Sequence, residues 1–421
     1  MRIRTMLRSS SAVIVLPIVV VFVLAAIGND ITSWTTAGYW PSATGSSTYA
    51  LPFISTACAA MGAWEGARLT RGHVFSQVSV RSPLTISASV LVPVVAAGGI
   101  ASLAALLLAA GSAGVGAGLP DLMILAAELV LLLANTLVGF CIGRRLPALI
   151  SVPASLVGAF IVNAFPASWS ILWLRHLVGG GLSDCCALDQ VVNTRAVWCT
   201  LLFAGGLAAA CLTVINYRHQ RLAPAIALGI LIAGTGSAVA TAQGLQADAT
   251  SPRPLAVLDC KQGPSATVCL WPEVTHASTV RSETQKAVAK LQAFGVTTPS
   301  TFTMAARPTA QEAKLGIGPS ASAQDVPPGV VAGLLPQLPA CATQGAYPGG
   351  EAVAPVAAWL MLTAGASENT LAAKTDPDTS KLARQVASMP KAEQLRWYAI
   401  NTSAMKTCTV KPQLIPVGGA K

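Results

Sequence analysis

The chain has 421 residues, of which 53% are hydrophobic and only 10% are charged, and its formal net charge is +10. A soluble globular domain carries about 25% charged residues, so a uniformly soluble fold is excluded. Every lysine lies at or after Lys261. The change in composition near residue 250 therefore separates an apolar first part from a water-soluble second part.

Seven apolar stretches in the first part predict membrane-spanning helices, because a hydrocarbon core about 30 Å thick requires about 20 apolar residues. They lie near residues 11–27, 49–64, 84–110, 122–142, 149–165, 197–216 and 223–243. The predicted fold class is an α-helical polytopic membrane domain over residues 1–243. A small, disulfide-bonded, mixed α+β extracytoplasmic domain follows over residues 244–421.

The first stretch has two interpretations. Arg2, Arg4 and Arg8 precede an apolar run, which is typical of a retained helix and also of a signal peptide. The run is long, and the segment from Ala25 to Gly28 is a poor cleavage site, so we favour the retained helix. Cleavage would leave the other six stretches oriented as before.

The arginines of the first part predict its orientation, because cytoplasmic loops carry an excess of Lys and Arg. With a cytoplasmic N-terminus, only Arg175 and Arg195 fall outside. The other ten fall inside: Arg2, Arg4, Arg8, Arg68, Arg71, Arg81, Arg144, Arg145, Arg218 and Arg221. The sequence thus predicts a multi-pass protein of the cell membrane with an extracytoplasmic C-terminal domain.

One ionisable residue, Glu128, lies well inside a predicted span. An intramembrane carboxylate is costly and is by default a functional candidate. The structural alternative is a side chain that faces the bundle and bonds to a polar residue on a neighbouring helix. Asn135, seven residues further along, extends the same polar face.

The second part combines strand and helix patterns. Residues 255–260 and 266–271 predict a hairpin around a Gly-Pro turn, and residues 308–339 predict a loop with one short helix. Helices are predicted over 279–294 and 353–364, and as a pair over 378–389 and 390–406. Asp378 caps the first helix of this pair, and Pro390 opens the second.

Four cysteines of the second part are candidates for disulfides: Cys260, Cys269, Cys341 and Cys408. An even number in an oxidising compartment favours such bonds. Cys260–Cys269 with Cys341–Cys408 is the most economical of three connectivities. The spacing fits no familiar zinc pattern, so we predict no metal. Cys185 and Cys186, in an outer loop, can pair with each other or elsewhere.

No GxxxxGK[ST], HExxH or GxSxG motif occurs in the sequence, so it gives no evidence for an enzyme or a cofactor. A membrane enzyme would need an acid–base set on the outer face, where Asp184, Asp189 and His176 are the nearest candidates. The basic charge follows the predicted membrane edges, which favours membrane lipids over nucleic acid as partners.

The segment between the second and third stretches, Ala63–His73, contains Glu65 followed by Arg68 and Arg71. Here the sequence resembles the integral-membrane permease subunits of ABC-2-type transporters, in the divergent form common in high-GC actinobacteria, over residues 1–220. The resemblance implies six spans and a short cytoplasmic helix that docks on a separate ATP-binding subunit. By this resemblance, the docking helix corresponds to Glu65, Arg68 and Arg71.

The resemblance also implies that two membrane subunits, identical or related, form a transport path. A seventh span and an outer domain depart from the common family pattern. An ordinary positive-inside loop is the other interpretation of Glu65, Arg68 and Arg71. The alternative function is a membrane-anchored sensor or interaction protein whose outer domain binds a ligand or partner.

Overall fold

The computed structural model describes residues 10–75, 82–217, 220–343 and 347–415. The chain divides into two compact units, Met1–Ser251 and Pro252–Lys421. The sequence predicts this boundary at residue 243, slightly earlier in the chain. Each unit contains its own set of buried apolar side chains.

The first unit is almost entirely helical. Five of its helices are long and apolar enough to cross a membrane, which indicates a membrane protein: Pro83–Ala113, Leu122–Gly143, Ala148–Ser168, Thr194–Asn216 and Ala223–Ala242. In chain order its α-helices are α1 (Ala12–Ala25), α2 (Gly28–Ser33), α3 (Trp40–Ser47), α4 (Leu51–Arg71), α5 (Pro83–Ala113), α6 (Leu122–Gly143), α7 (Ala148–Ala164), α8 (Thr194–Asn216) and α9 (Ala223–Ala242).

Each of the seven predicted stretches contains a helix, but α1 and α4 do not belong to that set of five. α1 has only 14 residues. α4 has 21 residues, but its sequence is less apolar and much of its surface is buried. It packs against α1, α5, α6 and α7. Because neighbouring helices cover α4, small and polar side chains are tolerated along it.

The resemblance implies a separate short helix for the segment with Glu65, Arg68 and Arg71, and the structure differs from this expectation. The segment forms the last two turns of α4, which continues without a break to Arg71. The helix ends at Gly72, and His73 follows with a φ of 52°. The helix therefore continues about two turns beyond the predicted end of the second stretch near residue 64. A charged segment can remain helical because α4 packs on other helices along its length.

The closest helix packing in the first unit joins α4 to α6. A Cβ atom at Gly139 or Gly143 would overlap the backbone carbonyl of Ala59 or Ala63, respectively. Gly62 and Gly66 of α4 lie equally close to the backbone of α6. Both helices thus carry glycines four residues apart, the pattern that allows membrane helices to approach backbone to backbone. Since the pairing advances in the same direction on both helices, α4 and α6 are parallel.

The second unit is mixed α+β, as predicted. Its four-stranded sheet has the order β3-β4-β5-β6, with β3 and β4 antiparallel and the other pairs parallel. The strands of the chain are β1 (Gln190–Val192), β2 (Thr250–Pro252), β3 (Asp259–Gln262), β4 (Thr267–Leu270), β5 (Thr301–Thr303) and β6 (Glu312–Lys314). The helices of this unit are α10 (Ala277–Phe294), α11 (Val326–Leu334), α12 (Val353–Ala364), α13 (Glu368–Lys374), α14 (Pro377–Ala387) and α15 (Lys391–Met405).

Two local predictions in the second unit are corrected. The cap of α14 is Asp376, not Asp378, because Pro377 occupies the first helical position and the Asp376 carboxylate accepts the Thr379 amide at 2.9 Å. The segment 308–339 contains strand β6 as well as the expected short helix α11. β6 has only three residues and lies at the sheet edge, so its periodicity is too short to detect in the sequence.

The core of the second unit centres on Trp359, which is fully buried. Its ring packs near the rings of Phe294, Trp397 and Tyr398, and its Nε1 donates to Gln394 at 2.9 Å. This bond satisfies the only polar atom of a buried indole.

Candidate functional site

The chain's most distinctive charged surface lies at one end of the first unit, which we call the arginine end. It is defined by Arg68, Arg71, Arg144, Arg145 and Arg221. The end of α4 meets the end of α6 there, where the Thr70 hydroxyl lies 3.5 Å from the Arg144 carbonyl. Ala223, which opens α9, lines a cleft with Arg144 and Arg145. Arg2, Arg4, Arg8, Arg81 and Arg218 lie outside the described residues.

Glu65 is buried at this end and binds within the chain. Its Oε1 accepts hydrogen bonds from the amide and the hydroxyl of Ser11, both at 2.9 Å. Its Oε2 pairs with Arg68 at 2.6 Å. Ser11 precedes the first residue of α1, where backbone amides need acceptors. Glu65 therefore caps a neighbouring helix and presents no carboxylate to a partner protein.

The two arginines of the same segment differ in exposure. The side chain of Arg68 is 37% exposed and is engaged by Glu65. Arg71, one turn further along, is exposed. Of the three residues predicted to form a docking helix, Glu65 and Arg68 thus bind each other, and Arg71 is exposed.

Glu128 is buried in α6, with 3% of its surface exposed. Among the described residues, no hydrogen bond or ion pair reaches its carboxyl group. Asp121, two turns earlier, caps the start of α6 and accepts the amides of Met123 and Ile124. A buried carboxyl without a partner costs free energy, so Glu128 keeps its place as a functional candidate.

Asn135 lies seven residues after Glu128 on α6, is also buried, and binds to α7. The Asn163 side-chain amide donates to Asn135 Oδ1 at 3.0 Å, and the reverse contact is 3.5 Å. Each amide also donates to a carbonyl one turn earlier on its own helix, Leu131 or Ala159. This pair joins α6 to α7 through buried amides, and sequence analysis misses Asn163.

The opposite end of the first unit contains the predicted outer-loop residues. His176 is 1% exposed, and its Nε2 lies 2.8 Å from the Gln246 carbonyl. Burial lowers the pKa of His176, and nearby Arg175 adds to the effect. Cys185 and Cys186 are buried and paired with each other. The Nε2 atom of His176 is thus held by the backbone, whereas its Nδ1 atom is buried without a hydrogen-bond partner among the described residues.

In the second unit, the structure brings both favoured cysteine pairs to disulfide distance. The Cα atoms are 3.9 Å apart in Cys260–Cys269, where β3 faces β4, and 6.2 Å apart in Cys341–Cys408. Arg253 makes a two-pronged ion pair with Glu273 and lies over the ring of Trp271 at 4.5 Å. These contacts fasten the start of the unit to its sheet.

Within the described ranges, no three His, Cys, Asp or Glu side chains lie close enough together to hold a metal ion. The residues that remain as candidates are therefore the exposed arginines at the arginine end and the buried polar groups on α6.

A comparison with protein families matches part of the second unit. Residues 268–408 match a family model described as "Domain of unknown function (DUF7224)". No curated protein matches the chain, and no solved structure matches it. The match accounts for about a third of the chain.

Proposed function

We propose that the chain is the membrane-spanning permease subunit of an ABC-type, export-like transporter. In this proposal α1 and α4–α9 form seven spans, the N-terminus is cytoplasmic and the second unit is extracytoplasmic. The observation that carries it is the arginine end, where exposed Arg71, Arg145 and Arg221 lie at or beside the helix ends that meet there. Asp30, Asp121 and Asp184 belong to segments that precede or join the spans at the other end. Such asymmetry is typical of a cytoplasmic face.

ATP hydrolysis would occur on a separate subunit that binds at the arginine end. Two membrane subunits, identical or related, would enclose the transport path. The burial of Glu65 changes the docking surface that the resemblance implies, because this carboxylate is used inside the chain. The proposed contact is therefore exposed Arg71, with Arg68 held beside it by Glu65.

The test is purification of the tagged chain from its own cells in mild detergent, with quantification of co-purifying proteins by mass spectrometry. We expect a stoichiometric ATP-binding subunit with the wild type. Arg71→Glu should remove it, because reversal places a negative charge at the centre of the proposed contact. Arg68→Glu is a poorer probe, since it would also set two carboxylates side by side within α4.

The matched controls are Arg71→Lys, which keeps the charge, and Lys261→Glu, which reverses an exposed charge in the second unit. Both should retain the partner. Size-exclusion profiles that match the wild type would establish that Arg71→Glu is folded. Absence of any ATP-binding subunit from the wild-type preparation, or its retention by Arg71→Glu, would contradict the proposal.

A second candidate function is a membrane-anchored sensor or interaction protein. It is favoured by one observation: the matching family model covers residues 268–408, within the second unit. In that case changes at Arg71 would have little effect on function. Removal of the second unit would abolish ligand or partner binding while the first unit still enters the membrane.

Glu128 is the residue we propose to face the transport path. Glu128→Gln keeps the size and removes the ionisable group. If the carboxyl group binds the transported compound or carries a proton during transport, this variant should retain the ATP-binding subunit and lose transport. If its role is structural, transport and thermal stability should change together.

A further inference from the structure

A cleft opens at the arginine end of the first unit, where α6, α8 and α9 meet. Its volume is about 200 Å³, several times the ~30 Å³ that a water molecule occupies in the liquid. The residues that line it are Cys141, Arg144, Arg145, Val214, Ala223 and Pro224. This set contains two arginines and no acidic side chain, so the cleft is suited to an anionic group.

The two arginines are presented differently. The Arg144 guanidinium lies over the ring of Phe75 at 4.4 Å and near the ring of Phe140 at 5.9 Å. This cation–π contact holds the guanidinium beside the cleft, and phosphate oxygens bind such a group through its N–H donors. Arg145 is exposed at the rim. Arg144 is thus held by aromatic side chains, and Arg145 is accessible from solvent.

Exposed apolar side chains lie close in sequence to the residues that line the cleft. Leu149 at the start of α7 is 88% exposed, and Leu222 before α9 is 70% exposed. Ile150 and Ile226 continue the two surfaces, at 54% and 49% exposure. In a membrane protein such side chains contact acyl chains. A ligand that combines a phosphate with hydrocarbon therefore fits this place better than a free anion.

We propose that this cleft is a binding site for the phosphate group of an anionic phospholipid. Arg144 and Arg145 bind the phosphate oxygens, and the acyl chains lie along Leu149 and Leu222. Basic pockets between membrane helices bind anionic headgroups by this chemistry. The inference is independent of the proposed transporter function, because it uses neither an ATP-binding partner nor Arg71.

The experiment measures thermal unfolding of the full chain in neutral detergent with phosphatidylglycerol, phosphatidylcholine or inorganic phosphate added. Phosphatidylglycerol should raise the unfolding midpoint, because a ligand that binds the folded state stabilises it. Phosphatidylcholine and inorganic phosphate should not. The substitutions Arg144→Gln and Arg145→Gln each remove one positive charge. Each should weaken the apparent affinity for phosphatidylglycerol about fivefold.

Arg71→Gln is the matched control, since it removes one exposed arginine at the same end but outside the cleft. It should keep the wild-type response. Equal stabilisation by phosphatidylcholine, an equal effect of inorganic phosphate, or an equal loss in Arg71→Gln would each overturn the proposal. If Arg144→Gln fails to fold, native mass spectrometry of Arg145→Gln, which changes an exposed residue, decides the question by the number of bound phosphatidylglycerol molecules.

Discussion

The carboxylate of Glu65 accepts hydrogen bonds from the amide and the hydroxyl of Ser11, which lies 54 residues earlier in the chain. The same carboxylate pairs with Arg68 on its own helix. One buried acidic side chain thus fixes the start of α1 against the end of α4. This explains how a helix of only 14 residues is held at a defined height in the first unit.

Replacement of Glu65 should therefore loosen α1. We expect Glu65→Ala to lower the free energy of unfolding by about 2 kcal/mol, because the Ser11 amide and hydroxyl lose their acceptor. Glu65→Gln keeps an oxygen acceptor and should cost less. Thermal unfolding in detergent measures the difference, with Asp30→Asn as a control at an exposed acid. An equal effect of Asp30→Asn and Glu65→Ala would contradict the capping role.

The glycine contact between α4 and α6 predicts an unusual sensitivity to small substitutions. Gly139→Ala should destabilise the first unit by about 1–3 kcal/mol, because the new methyl group would overlap the Ala59 carbonyl and force the helices apart. Gly158→Ala on α7 is the control, since nothing lies within 4 Å of its added Cβ. It should leave the unfolding midpoint unchanged or raise it. Proteolysis of the folded protein in detergent provides a second measurement.

The amide pair between α6 and α7 should appear as an energetic coupling. A double-mutant cycle with Asn135→Ala and Asn163→Ala should give a coupling of about 0.6 kcal/mol, and at most about 1.7 kcal/mol, as found for hydrogen bonds between membrane helices. Asn135→Ala combined with Ser237→Ala should be additive, since the exposed Ser237 hydroxyl bonds within α9. Zero coupling in the first cycle would show that the two amides do not bond.

His176 predicts a pH dependence of stability. Burial lowers its pKa in the folded protein below the ordinary value of 6.5, so the unfolded chain binds the proton more readily. The stability that neutral His176 contributes is therefore complete above pH 6.5 and is lost as the pH falls below it, through the lowered folded-state pKa. Unfolding midpoints between about pH 5 and pH 8 measure this loss. His176→Gln should reduce the slope, whereas exposed His276→Gln should retain it.

Hydropathy and turn patterns predict most of the fold. Long apolar stretches mark α5–α9. A hairpin around the Gly-Pro turn is also predicted, but its first strand lies at Asp259–Gln262 instead of 255–260, and Leu255–Val257 forms a 3-10 turn. These features depend on neighbouring residues in the chain. The contact of Glu65 with Ser11 does not follow from such patterns: an acid beside two arginines has the same local sequence whether it faces a partner or caps a distant helix. Only the position of Ser11 distinguishes the two.

The candidate site shows the same limit. Asn135 is noticeable in an apolar run, but its partner Asn163 lies near the end of the next helix and resembles a terminal polar residue. Likewise, Arg144 and Arg145 appear in the sequence as a charged end to α6. Their cleft requires Val214 and Ala223 from two other helices. A hydropathy pattern does not show which residues of different helices are neighbours. Such sites can therefore be identified only from the folded structure.

The limits of the family match bear on how the second unit can be produced by itself. The match starts at residue 268, inside β4, whereas Cys260 and all of β3 precede it. A fragment cut at those limits would carry Cys269 as an unpaired thiol on an uncovered strand edge, and such edges promote association between chains. The compact unit starts at Pro252 and keeps both the Cys260–Cys269 pair and the Arg253–Glu273 ion pair. A fragment intended for crystallisation or ligand screening should therefore begin at Pro252.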